Sequence, residues 1–320
     1  MAAFALGIIG FGIMGERLLR QALPHPAFRL SGIWDPSPEA AARLAAIDPA
    51  LRIAPSAEAV IAGCDTLYVA APPAAHVPLA RAAIAAGRAV LLEKPLATDL
   101  AEAEAFVAEA EAQGARAGVN FPMASSPAVA QIAAWRQEIG APQRLEVEAH
   151  FARWPRGWQQ DASTWLSRRA EGGFTREVLS HFLFLTRRQM GPLQLVSAQA
   201  DYPGGDLSET AIQAELTAGG IPVRLSGSVG RIAEDEANGW TLTGTSGAIR
   251  LRNWSLAERL GTDGAWHMAP DAIPNDRMRP MTLRGQMDKL AALTRGEPQG
   301  LATLREALEV QRIVEAVLAS

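Results

Sequence analysis

Over the first third of the chain, short apolar runs alternate with alanine-rich stretches of helical spacing. The runs Phe4 to Ile9, Phe28 to Trp34, Thr66 to Ala70, Ala89 to Leu92 and Ala117 to Asn120 contain little polar alternation. That is the pattern of strands buried on both faces of a parallel sheet. Between them, Glu16 to Leu23, Ser37 to Ala46, Ser56 to Ala62, His76 to Ala86 and Thr98 to about Gln113 read as helices. Ser37, Ser56 and Thr98 stand where N-caps belong, Pro38 suits a first helical position, and Gly87 ends the fourth helix. Strand and helix in strict alternation predict a doubly wound parallel sheet with helices on both faces.

From about residue 121 the period changes. Pro127 to Glu138 reads as helix. Strands then follow at Arg144 to Phe151, Gln194 to Tyr202, Thr210 to Thr217, Pro222 to Gly230, Trp240 to Thr243, Ala248 to Trp254, Leu256 to Leu260 and Ala265 to Met268. Leu145-Glu146-Val147-Glu148-Ala149 and Val223-Arg224-Leu225-Ser226 alternate residue by residue, as strands with one buried face do. Gly219-Gly220 and Thr245-Ser246-Gly247 supply turns. Leu301 to Ser320 closes the chain as an amphipathic helix. The predicted fold is α/β: a doubly wound parallel sheet over 1–120, then an α+β domain over 121–320 with a large, mostly antiparallel open sheet and the helix 301–320.

Composition narrows the function. The 320 residues suffice for two domains, with 48% hydrophobic and 20% charged residues in a soluble balance. A net charge of −4, with no basic run interleaved with aromatics, argues against a nucleic-acid partner. One cysteine, Cys64, excludes an intrachain disulfide framework and offers no zinc cluster, so it reads as a core thiol and no metal is expected. No stretch approaches the ~20 apolar residues of a membrane span, and the short N-terminal run lacks a basic start. A cytoplasmic enzyme is expected.

The first predicted strand runs into Gly10-Phe11-Gly12-Ile13-Met14-Gly15, and the second ends at Asp35. In this GxGxxG spacing the first glycine makes a tight turn, the second lets the backbone approach a pyrophosphate, and the third lets the helix pack on the strand. The helix N-terminus then faces the phosphates, and the domain over 1–120 reads as an NAD(P)-binding Rossmann domain. An acid about 20 residues on hydrogen-bonds the adenosine ribose hydroxyls. The rival reading is a glycine turn of another α/β protein, with Asp35 a helix cap before Pro36. A carboxylate at Asp35 repels a ribose 2′-phosphate, and no Arg or Lys follows it before Arg43, which favours NAD(H) over NADP(H). Ligands in such sheets sit beyond the carboxyl ends of the strands. Ala71-Pro72-Pro73, Glu93-Lys94-Pro95 and Asn120 therefore join the glycine turn and Asp35 as site candidates.

The run Cys64 to Ala97, with its Pro-Pro followed by His76, Ala-Gly at the helix end and Glu93-Lys94-Pro95, resembles the glucose–fructose oxidoreductase and inositol dehydrogenase (Gfo/Idh/MocA) family. The resemblance covers nearly the whole first domain. It implies that Lys94 is a catalytic or substrate-orienting group beside the nicotinamide, and that Lys94–Pro95 is a cis peptide. Chemistry agrees: alcohol oxidation removes a hydride and a proton, and a group must hold the hydroxyl and pass its proton on. The competing reading, a surface ion pair with Glu93, suffers because neighbours on a strand point to opposite faces. His76 either touches the ligands or caps its helix.

In the second domain Gly172-Gly173 precedes a helix with Glu177 and His181 four apart, a spacing that puts both on one α-helical face. The family places an Asp where Glu177 stands and a His four later. The resemblance makes His181 with Lys94 the acid/base pair, and Glu177 a group that binds substrate, orients His181 or does neither. The rival is a buried histidine packed by Phe182 and Phe184. Trp154, Trp158 and Trp165 serve either as sugar-stacking platforms or as loop anchors, and Arg156, Arg168, Arg169 and Arg176 either meet an acidic substrate or are solvated surface residues. Many family members carry an Arg near Phe121-Pro122-Met123, and this sequence does not. Family members assemble through the far face of the second sheet, which implies a homodimer or homotetramer. The implied activity is hydride transfer between a nicotinamide cofactor and a hydroxyl/carbonyl carbon of a sugar, cyclitol or related polyol, with a small-molecule substrate and no nucleic-acid or membrane partner. Alternatives are the same fold acting on an imine or dihydrodiol, and a nucleotide-binding sensor without turnover.

Overall fold

Two structural units account for the chain, one formed by residues 1–124 with 280–308 and the other by 125–279 with 309–320. The computed structural model describes residues 2–320, with the backbone alone at 160–163.

In the first unit β1 (Phe4–Ile9), β2 (Phe28–Trp34), β3 (Thr66–Val69), β4 (Ala89–Leu92) and β5 (Ala117–Val119) form a parallel sheet of order β2-β1-β3-β4-β5. β3 and β4 are buried at every position, as continuous apolar runs require. Helices α1 (Ile13–Ala22), α2 (Glu39–Ile47), α3 (Ala57–Gly63), α4 (His76–Ala85) and α5 (Leu100–Ala112) alternate with the strands. Leu18, Leu19, Leu44 and Phe28 pack with Leu6 and Ile8 in the core. Ser56 caps α3 by accepting the Ala59 N–H at 3.2 Å. The cap of α5 is Asp99 rather than Thr98, its carboxylate accepting the Glu102 N–H at 2.8 Å. Pro38 holds the N-cap position of α2, and Ser37 turns its N–H to Asp35 instead. Cys64 lies in the core, where burial pushes its thiol up to about 11.

The second unit contains α6 (Pro127–Trp135), the short α7 (Ser163–Leu166), α8 (Ser180–Met190) and an eight-stranded sheet. Its strands are β6 (Pro142–Phe151), β7 (Leu193–Asp201), β8 (Ala211–Ala218), β9 (Ile221–Val229), β10 (Glu236–Gly244), β11 (Ala248–Arg252), β12 (Leu256–Leu260) and β13 (Trp266–Met268). Their order is β13-β12-β11-β10-β6-β9-β8-β7, antiparallel except for the interior pair β6 and β9. Leu145, Val147, Ala149 and Phe151 turn to the covered face, where the Trp240 indole donates to Thr186 of α8 at 3.0 Å. β11 stops at Arg252 because Asn253 and Trp254 have φ of +47° and +70°.

One element has no counterpart in the sequence reading. Residues Asn275–Arg295 form α9, followed by α10 (Leu304–Leu318). Pro280 and Gly285 interrupt the α9 pattern in sequence, yet Leu283, Gln286, Met287, Leu290 and Ala291 share a buried side. Among the described residues no helix is long and apolar enough to cross a membrane.

Candidate functional site

In the first unit the predicted residues lie at the carboxyl edge of the parallel sheet. Gly10 has φ +91°, and a Cβ there would lie 2.4 Å from the Ala70–Ala71 backbone. A Cβ on Gly15 would lie 2.2 Å from the Gly10 carbonyl, so no side chain fits between helix and strand. A Cβ on Gly12, by contrast, would meet nothing within 4 Å. The backbone at Gly12 is therefore open at the start of α1, whose first N–H groups lack intrahelical partners. This is a cradle that fits a pyrophosphate. Phe11 is buried and Ile13 and Met14 are half-buried around it.

Asp35 is tied to that turn. One carboxylate oxygen accepts the Phe11 N–H at 2.6 Å and the other the Ser37 N–H at 2.8 Å. On the other side of the same residue, Arg43 of α2 donates to the Phe11 carbonyl at 3.0 Å. The first cation after Asp35 in sequence is thus folded back onto the glycine turn.

A buried polar network spans the ends of β3, β4 and β5. Glu93 accepts hydrogen bonds from the Tyr68 hydroxyl and from Asn120 Nδ2, the latter at 2.7 Å. Gln286 of α9 donates to Asn120 Oδ1 at 2.8 Å. Burial, then the Glu93 charge, pushes the Tyr68 hydroxyl well above its ordinary value, so it stays protonated and donates. Four side chains from four elements thereby lock the backbone that presents Lys94. Lys94 is half-buried and its bond to Pro95 is cis. His76, at the start of α4, places Nδ1 at 2.7 Å from the Pro95 carbonyl and Nε2 at 2.8 Å from the Ala71 carbonyl. It links the two loops that sequence proposed as site segments; burial lowers its pKa, opposed by the two carbonyls. Pro73 is buried and Pro72 exposed beside it.

The second unit carries the other predicted residues. Thr175–Leu179 is a π-helical turn leading into α8, so Glu177 lies in a π turn and His181 in the α-helix after it. Such turns recur at functional sites. Gly173 has φ +98°, and a Cβ there would lie 2.1 Å from the carboxylate of buried Glu209. Glu209 accepts the Thr175 N–H at 2.7 Å and so satisfies the start of the helix. The Gly-Gly pair is thus the seat of a residue that sequence did not single out. Both Glu177 and His181 are half-buried.

The His181 ring meets Trp254 edge-on, with centroids 5.5 Å apart at 75°. The Trp254 indole donates to Glu236 Oε1 at 2.6 Å, and Asn238 Nδ2 donates to the same atom at 2.8 Å. Arg156 donates to Glu236 Oε2 at 3.2 Å and to Gln159 at 2.9 Å, and lies over the Trp158 ring at 4.7 Å. Arg279 approaches the same ring at 5.9 Å. Of the proposed tryptophans, Trp158 is exposed; Trp154 gives its indole N–H to the Leu166 carbonyl at 3.0 Å and packs on Phe151 and Phe174. Trp165 is half-buried, its carbonyl pressed against Gly172. Arg176 is taken by Glu315. Trp254, Glu236 and Arg279 carried no signal in sequence, because strands and loops far apart in the chain bring them together.

The fold and the glycine turn define a two-unit protein whose first unit is a parallel α/β sheet. Residues 4–121 match the model of the Gfo/Idh/MocA oxidoreductase family, NAD-binding Rossmann fold. The UDP-N-acetylglucosamine 3-dehydrogenase of Acidithiobacillus ferrooxidans is 32% identical over 144 residues, 44% of each chain. An inositol 2-dehydrogenase of Cereibacter sphaeroides is 36% identical over 115 residues, 35% of this chain and 34% of that one. Each match thus spans less than half of the curated relative. The solved structure of GenD2 from gentamicin A biosynthesis, in complex with NAD, shares the fold over 100% of this chain and 95% of its own, with TM-score 0.80 and 20% identity.

Proposed function

We propose that the protein is an NAD(H)-dependent oxidoreductase acting on a hydroxyl/carbonyl carbon of a sugar, cyclitol or related polyol. The observation that carries this reading is the glycine turn: an open Gly12 backbone at a helix start, with the Asp35 carboxylate hydrogen-bonded to the same turn. The turn and the start of α1 would hold the pyrophosphate, and Asp35 the adenosine ribose. When bound, the nicotinamide supplies the hydride acceptor or donor. The chain's own residues handle the proton. Lys94, at the carboxyl edge after β4, is assigned to hold the reacting hydroxyl, and the Tyr68–Glu93–Asn120–Gln286 network fixes its backbone. His181 is assigned to relay the proton, and Glu177 to bind substrate or orient His181. A histidine suits the relay because its charge changes near neutral pH. The names of the two relatives, dehydrogenases of an amino sugar nucleotide and of inositol, support the polyol class.

Asp35 favours NAD(H), since its charge opposes a 2′-phosphate. Arg43, on the carbonyl side of Phe11, is the one specific observation that favours NADP(H) instead. The open face of the second unit's sheet is assigned to homodimer or homotetramer contacts, and the cytoplasm is the compartment this reading implies. Quenching of the eight tryptophans by NADH and by NADPH, titrated separately, tests the cofactor reading. Tight NADH with weak NADPH, then NAD-linked oxidation within a polyol panel, is the expected outcome. Binding of neither nucleotide overturns it.

A further inference from the structure

We infer that Arg156 and Arg279, gathered on the Trp158 indole, form an anion subsite that takes the carboxylate or phosphate of an acidic sugar or polyol. The inference rests on the oxidoreductase reading above for its substrate class, and on the second unit alone for its geometry. Two guanidinium groups lie within 4.7 and 5.9 Å of one exposed ring. Like charges held together in a partly dry place are costly unless an anion joins them. The Glu236 carboxylate beside Arg156 is already engaged: its two oxygens accept from Trp254, Asn238 and Arg156. The Arg279 side chain makes no hydrogen bond and no ion pair among the described residues, and Asp276 acts on it only through its charge. Burial first, then Arg156, disfavours the Arg279 charge, partly opposed by Glu236 and Asp276. A guanidinium is always charged and presents a planar fork that matches carboxylate and phosphate oxygens.

The subsite is joined by contact to His181. Arg156 holds Glu236, Glu236 holds the Trp254 indole, and Trp254 packs on the His181 ring. Trp254 and Asn253 keep positive φ because Asn238 accepts both of their N–H groups, through its side chain for Trp254 and its carbonyl for Asn253, each at 3.0 Å. Non-glycine residues held in this region cluster at functional sites. A substrate anchored by its anionic end at Arg279 would thus extend along Trp254 toward His181.

The test is direct titration of the full chain with D-glucuronate, D-glucose 6-phosphate and D-glucose at fixed ionic strength, followed by calorimetry, with and without NADH. Wild type is expected to bind at least one of the two acids about 10-fold or more tighter than glucose, the lower end of what a charge-assisted hydrogen bond contributes. Whichever acid gains identifies the anion as carboxylate or phosphate. Arg279→Gln should bring that ratio close to one with NADH affinity at the wild-type value, and Arg279→Lys should keep part of it. Equal binding of all three sugars by wild type, or a ratio unchanged in Arg279→Gln, overturns the subsite. The wild-type comparison decides even where the glutamine variant does not fold. Failure of NADH binding alone instead strikes the cofactor reading, since the anion titration is run without nucleotide as well.

Discussion

Asp35 shows at the residue scale how one side chain serves both fold and ligand. Its two oxygens take the Phe11 and Ser37 N–H groups, so it shapes the glycine turn before any ligand arrives. Asp35→Ala is expected to weaken NADH binding more than NADPH binding; equal losses would mean that Asp35 acts only through the turn. His181→Ala should lower turnover by about 10²–10⁴, the range for a lost proton-transfer group, and a wild-type rate in single-turnover assays would remove His181 from the reaction. Glu209 carries a pH prediction. Burial raises its pKa above the ordinary 4.5, so the folded chain keeps a proton that the unfolded chain has released. Its contribution to stability therefore falls as pH rises from about 4.5 through the raised value. Glu209→Gln keeps an acceptor for Thr175 and loses that charge. Its melting temperature should gain on wild type as pH rises from 5 to 7.5 and converge with it near pH 4. A wild-type advantage that grows with pH would reverse the sign. The positions of Asp35 and Lys94 at strand ends were legible in the sequence, while His181 was singled out only through the family resemblance. Glu209, Glu236, Trp254 and Arg279 were not, since nothing local marks them and only their neighbours in space give them a role.

At the scale of elements, the helix bearing His181 owes its start to Gly173 and Glu209 together. Gly173→Ala would force a Cβ into the Glu209 carboxylate at a φ of +98°. We expect a loss of about 1–3 kcal/mol from the backbone strain alone, read as a lower urea midpoint at unchanged slope. An unaltered midpoint would show that the turn relaxes freely. The π turn at Thr175–Leu179 was invisible in sequence, where Glu177 and His181 looked like an ordinary pair one α turn apart. α9 was hidden for a related reason. Pro280 and Gly285 break the pattern, and the polar Gln286 occupies a buried position because Asn120 satisfies it. Strand positions fared better. Alternation along β6 and β9 follows from one covered face, and the sheet has that face. β11 ended earlier than its apolar pattern, where Asn253 and Trp254 leave extended geometry.

For the molecule as a whole, nucleotide binding should appear as stabilisation. A ligand at 100 times its dissociation constant adds about 2.7 kcal/mol to the folded state that binds it. NADH should therefore raise the melting temperature, and NADPH at equal concentration should raise it less; a larger NADPH shift would transfer the adenosine end from Asp35 to Arg43. The sequence by itself determined the two kinds of sheet, the glycine turn with its acid, and the Lys94 segment. These are local: period, turn chemistry and strand-end position are written within about 35 residues of one another. Tertiary structure alone decided the strand order β13-β12-β11-β10-β6-β9-β8-β7 and the parallel pairing of β6 with β9. It alone folded Arg43 onto Phe11, linked Gln286 to Asn120, and set Arg156, Glu236, Trp254 and Arg279 around Trp158 and His181. Those contacts join residues tens to hundreds of positions apart. Their partners are selected by which buried polar groups must be satisfied in three dimensions, a condition that no local pattern of residues expresses.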